Sequence, residues 1–147
     1  MNCALELIAI KEIATKEWEM EEEIKNAEAR ETYKMWCNDT IYLCDTEIND
    51  KLVDKALNRQ PLSISYKIRI EKDRLNNSIF RFVTKDSYTY ANGDDSYTAK
   101  GSYYSLDTLK NYLADHCITM DMYEDSYKSY GCGSLKCNRI VIYVPKN

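Results

Sequence analysis

Residues 62–72 read LSISYKIRIEK. Ile64, Tyr66, Ile68 and Ile70 alternate with Ser63, Ser65, Lys67, Arg69 and Glu71. A period of two belongs to a strand with one buried and one wet face. This strand makes the second half of the chain a sheet, because turn signals and further strand patterns follow it closely. Asn76-Asn77 turns the chain, and residues 78–85 form the partner strand with Phe80 and Phe82 inward. Residues 86–105 read DSYTYANGDDSYTAKGSYYS, with DSYT occurring twice. Asn92-Gly93 between the copies favours a tight turn with positive φ, so the repeat forms the two arms of a hairpin. A two-residue loop sets Tyr88 opposite Tyr97; a four-residue loop sets Tyr90 there. Such aromatic cross-strand pairs contribute about 0.2–1 kcal/mol each. Ser105 caps a helix over 106–117, with Leu109, Tyr112, Leu113 and His116 or Cys117 inward. Residues 118–130 then read as a strand, 131–138 as a turn region and 139–144 as a final strand.

Upstream of the first strand the period is helical. Residues 2 to about 36 contain no Gly or Pro and are rich in good helix formers. Ile10, Ile13, Met20, Ile24 and Ala27 make one apolar stripe. It narrows where Glu17, Glu19, Glu21, Glu22 and Glu23 crowd together. A helix of this length spans roughly 50 Å, more than a small domain is wide. Its middle is therefore expected to project, or to lie against a partner or a second copy of itself. Asn38 and Asp39 break the pattern, and residues 40–44 read as a short strand or loop. Asp45 or Thr46 caps a second helix to about residue 58, with Ile48, Leu52, Ala56 and Leu57 on one face; Pro61 ends it. The expected fold is α+β in the order α-α-β-β-β-α-β-β. It forms a single domain over 1–147, with 1–60 helical and 61–147 an antiparallel sheet of about five strands carrying one helix.

Composition bounds the function class. The chain has 147 residues, 44% apolar and 30% charged, with four Gly and two Pro, which is globular rather than disordered. No apolar run approaches the roughly 20 residues that cross a bilayer. The N-terminus lacks a basic leader and carries Glu6 and Glu12, so no signal peptide is expected and the reading is cytoplasmic. Six cysteines in such a chain read as free thiols. The formal charge of −4 is uneven. Residues 1–60 carry 14 acidic and 8 basic side chains, and residues 61–90 carry 3 and 6. A nucleic-acid binder shows a clear basic excess, which this chain lacks.

Catalytic and cofactor signatures are missing. There is no phosphate-binding glycine loop, HExxH or GxSxG. The one histidine, His116, reads as a packing or surface residue, and no cofactor or metal is expected. Cys132 and Cys137 flank a hairpin loop, but the six residues between Cys37 and Cys44 are wrong for a zinc knuckle. A disulfide between Cys132 and Cys137 is the other alternative to plain thiols. Asp121, Glu124 and Asp125 cluster near a strand end, where a divalent cation would define a small metal-dependent enzyme.

Two surfaces remain. Lys67, Arg69, Arg74, Arg81 and Lys85 give the hairpin 62–85 a basic side, the basis of a nucleic-acid-binding alternative through Lys67, Arg69, Arg81 and Lys85. Glu17, Trp18, Glu21, Glu22 and Glu23 on the helix, with Tyr88, Tyr90, Asp94, Asp95, Tyr97 and Tyr103 on the tyrosine hairpin, have the composition of an interface core and rim. They predict a non-enzymatic interaction protein with a basic or nucleic-acid-binding protein partner. In general character the chain is similar to small acidic, tyrosine-rich proteins of phages and mobile elements. Anti-CRISPR inhibitors among these present carboxylates to a groove that normally holds nucleic acid. That resemblance implies a blocked groove on a host protein. A homodimer through the long helix is the remaining expectation for assembly.

Overall fold

The structure is a computed structural model and describes residues 1–146. Its elements follow the expected order. Helix α1 (Ala4–Leu43) runs through a π-helical turn (Cys44–Ile48) into α2 (Asn49–Leu57). Then come β1 (Ser63–Lys72), β2 (Ser78–Thr89), β3 (Asp95–Ser105), α3 (Leu106–Asp115), β4 (Thr119–Ser129) and β5 (Gly133–Tyr143). All strand pairs are antiparallel, in the order β3-β2-β1-β5-β4. No helix among the described residues is long and apolar enough to cross a membrane.

The alternation of β1 is realised as read. Ile64 and Ile68 are buried with Phe80, Ile140 and Ile142, and Tyr66, Ile70 and Phe82 pack against them. Leu106, Leu109 and Leu113 of α3 cover this face together with Leu43, Cys44, Ile48 and Leu52 of the helical part. Burying each such side chain stabilises the fold by about 1.5–3 kcal/mol. Ser105 caps α3 by accepting the Thr108 N–H at 3.2 Å. The turn after β1 places Asn76 at φ 64°, and Asp73 Oδ1 accepts the N–H groups of Leu75 and Asn77.

Several local expectations are corrected. Asn38 and Asp39 do not end α1, and residues 40–44 are helical rather than strand or loop. Both are solvent-exposed, and their weak helix propensity costs little beside the packing of Trp36, Thr40 and Leu43 around them. Neither Asp45 nor Thr46 caps a second helix, because the chain passes into α2 without leaving helical geometry; the Thr46 hydroxyl donates back to the Tyr42 carbonyl. Leu57 is exposed, and so are His116 and Cys117, which lie past the end of α3. β5 begins at Gly133, so residues 133–138 are strand and the turn is only Tyr130–Gly131–Cys132.

The tyrosine hairpin also has a different register. Tyr97 lies opposite Lys85, not Tyr88 or Tyr90. Tyr90 N–H donates to the Asp94 carbonyl at 2.8 Å around a three-residue loop, with Gly93 at φ 89°. A bulge in β2 between Lys85 and Thr89 shifts the pairing. A second irregularity, in β3 between Tyr104 and Lys100, contains Gly101 at φ 89°. Bulges increase local twist. Beyond Ile68, β1 pairs with β2 but no longer with β5. The sheet curls until its edge strands meet, with Tyr88 and Tyr130 ring centroids 4.0 Å apart and Lys128 Nζ 3.3 Å from Asp94.

Candidate interaction surface

α1 is anchored only along its C-terminal half. Partly covered Glu22, Asn26, Ala29, Tyr33 and Trp36 and buried Thr40 are spaced by three or four residues on one face, with Thr32 and Cys37 partly covered beside them. Each contact has a partner on the sheet side. Arg74 in the β1–β2 turn forms an ion pair with Glu22 and donates to Asn26. Trp36 packs on Tyr103 with centroids 5.2 Å apart. Tyr33 and Thr40 both hydrogen-bond Ser105. Burial pushes the Tyr33 phenol pKa upward, while the hydrogen bond to Ser105 opposes the rise.

N-terminal to Glu22 there are no such contacts. Every residue from Met1 to Glu21 is exposed. At 1.5 Å per residue this free part of the helix is about 27 Å long. The projecting segment is thus the N-terminal half of α1, not its middle. Trp18 and Met20 are 61% and 66% exposed beside Glu17, Glu19, Glu21 and Glu23. The carboxylates from Glu17 to Glu23 fall within about 9 Å of helix axis. Their density approaches the one charge per roughly 1.7 Å of duplex DNA. Glu22 is the one that Arg74 neutralises.

The tyrosine hairpin is a separate and self-satisfied feature. Asp94 pairs with Lys128 and Asp95 with Lys85, each at 3.3 Å. Tyr88 packs edge-on to Tyr90 and stacks on Tyr130, while Lys128 sits over the Tyr90 ring. Tyr97 is half-buried, and Tyr103 lies between Trp36 and the Arg81 guanidinium. α1 meets the sheet at the β1–β2 turn and at Ser105, whereas the hairpin tip lies at the far end of β2, roughly 30 Å along the strand. The predicted acidic helix and predicted tyrosine surface therefore do not form one patch. Sequence reading missed Tyr130 as the stacking partner of Tyr88; the SYKSYG context next to a turn was its only signal.

The basic hairpin residues are engaged at home. Lys67 donates to the Ser126 carbonyl at 2.9 Å and lies 3.9 Å from Asp125. Arg69 donates to the Tyr127 hydroxyl, Arg81 pairs with Glu71 at 3.3 Å, and Lys85 pairs with Asp95. Asp125 also accepts from Arg139 at 2.9 Å. The Ser126 N–H, Arg139 and Lys67 together hold its carboxyl below the usual range. Each of these cations already has a partner within the chain, though Lys85 stays exposed.

No group of three or more His, Cys, Asp or Glu side chains among the described residues could hold a metal ion. Glu124 points to the opposite sheet face from Asp121 and Asp125, by the alternation of β4. Asp121 accepts the Tyr143 hydroxyl at 3.0 Å. All six thiols are free. Cys132 lies in the loop and Cys137 about 13 Å further along β5, beyond disulfide reach. Burial pushes the Cys44 thiol up to about 11, the Asp45 carboxylate adding to the rise. His116 Nδ1 sits 2.8 Å from the Tyr112 carbonyl and its ring lies against Tyr112, with no thiol or carboxylate among the described residues bonded to it. No protein family, curated protein or solved structure matches this chain.

Proposed function

We propose that this chain is a non-enzymatic protein-interaction module that docks through the projecting half of α1 onto a basic protein surface. The observation that supports it most is the exposure of every residue from Met1 to Glu21 on a continuous helix with a Trp and a Met among carboxylates. Exposed aromatic and Met side chains supply contact area, and the surrounding charge steers association with a cationic groove. In its sharper form the module is an inhibitor of the anti-CRISPR kind. Its carboxylates take the place of phosphates in a host protein's nucleic-acid groove. The charge density of the 17–23 segment and its freedom from the rest of the fold support that form.

The test is affinity capture from a bacterial lysate by the parent chain and by a variant with Glu19, Glu21 and Glu23 changed to Lys. The expected result is one stoichiometric basic protein, retained at low salt, released at high salt and absent from the variant. Recovery of nucleic acid without protein, or equal recovery by parent and variant, overturns the reading.

A further inference from the structure

The free half of α1 carries a second feature, a heptad pattern, that overlaps the acidic segment at Glu17, Met20 and Glu23. Ile10, Glu17 and Ile24 recur every seven residues, and so do Ile13, Met20 and Ala27, offset by three. These are the first and fourth positions of a heptad, the seam of a coiled coil. Ile10, Ile13, Met20 and Ile24 are each more than half exposed. Successive residues turn by 100° around a helix, so Ile24 lies about 160° from Glu22, which faces the Arg74 turn. The seam therefore points away from the chain's own domain, and nothing among the described residues covers it. An exposed apolar stripe of this kind marks an association surface.

We propose that a second copy of this chain occupies the stripe, with the two helices antiparallel about a two-fold axis between residues 18 and 19. In this register Ile13 packs on Ile24 of the partner subunit, Ile10 on Ala27 of the partner subunit, and Met20 on Glu17 of the partner subunit. The flanking positions then bring Lys16 beside Glu23 of the partner subunit, and the two-fold repeats that pair. Neither Lys16 nor Glu23 has an ion-pair partner within the protomer among the described residues. A parallel arrangement is worse on two counts. It stacks Glu17 on its own copy at a seam position, and it sets Glu23 beside Glu28 of the partner subunit. The antiparallel form also sends the two globular parts to opposite ends of the shared helix, each on an outer face. The overlap of residues 7–30 is about 35 Å long, or three heptads. This inference concerns the apolar seam and stands whether or not the acidic segment binds a basic protein.

Light scattering after size exclusion, at micromolar chain, tests it. The expected particle has roughly twice the 17.2 kDa chain mass. Ile24→Glu is expected to give a folded monomer whose melting no longer depends on chain concentration, because the side chain touches nothing in its own domain. Lys16→Glu or Glu23→Lys alone is expected to raise the dissociation constant several-fold, and the two together to restore it. In a background with Cys3, Cys37, Cys117 and Cys132 changed to Ser, a mixture of Ile13→Cys and Ile24→Cys chains is expected to cross-link, and neither alone. A monomer at millimolar concentration, a dimer that survives Ile13→Glu with Ile24→Glu, or cross-linking of Ile13→Cys chains by themselves overturns the proposal.

Discussion

The backbone N–H of Ser105 donates to the hydroxyl of Thr40 at 2.8 Å, joining the end of β3 to a buried position of α1 sixty-five residues earlier. The Thr40 hydroxyl also donates to the Trp36 carbonyl at 2.6 Å, so its donor and acceptor are both used. The Ser105 hydroxyl meanwhile caps α3 and bonds Tyr33. One residue thus locks α1, β3 and α3 together. Thr40→Val keeps the shape but leaves a buried N–H without a partner, and is expected to cost about 1–3 kcal/mol. A lower urea midpoint with unchanged slope is the expected signature, and an unchanged midpoint would show that the contact carries no stability.

The thiols are expected to divide by burial. Cys44 and Cys137 are buried, and burial raises both pKa values, that of Cys44 to about 11. The thiolate is the reactive form. At neutral pH a chromogenic disulfide reagent is expected to modify Cys3, Cys117 and Cys132 readily, with Cys44 and Cys137 reacting only after unfolding. Rapid reaction of all six in the folded protein would contradict the placement of β5.

Asp125 is expected to give the fold part of its acid sensitivity. Its carboxyl is held below the ordinary range, chiefly by the Ser126 N–H and by Arg139. A depressed folded pKa contributes stability above the unfolded value of about 3.9, and that contribution disappears as pH falls through the lower folded value. Asp125→Asn is therefore expected to lower the urea midpoint at pH near neutral. The gap to the parent should close as the pH is taken well below about 3.9. A gap that stays constant with pH would mean the carboxylate charge is not what Arg139 and Lys67 recognise.

The sheet was legible because its periodicity is strict. Ile64 to Ile70 alternate without exception, and the loops after β1 and β4 carry Asn or Gly where positive φ is needed. The Ser105 cap was legible for the same local reason. What escaped was set by long-range packing. Asn38 and Asp39 read as a helix end because nothing near them in sequence reveals that Ser105 completes Thr40. The register of the tyrosine hairpin escaped because two bulges, not the turn, determine it. The acidic stretch on α1 was visible in the sequence, but its separation from the tyrosine hairpin depends on where α1 meets the sheet. The basic hairpin looked like an open surface because the partners of Lys67, Arg69 and Lys85 come from β4 and β3, distant in sequence: Asp125 and the Ser126 carbonyl, Tyr127, and Asp95.

The docking role of the free helix is tested most directly by removing it. A chain of residues 22–147 keeps every contact between α1 and the sheet described above, including Glu22 with Arg74. It is expected to fold by itself, since residues 1–21 touch nothing else among the described residues of their own protomer, with melting that no longer depends on chain concentration. In parallel lysate captures at low salt, the parent is expected to retain its basic partner and the shortened chain to lose it. Equal capture of that partner by a well-folded shortened chain would contradict the account and move the binding surface to the curled sheet.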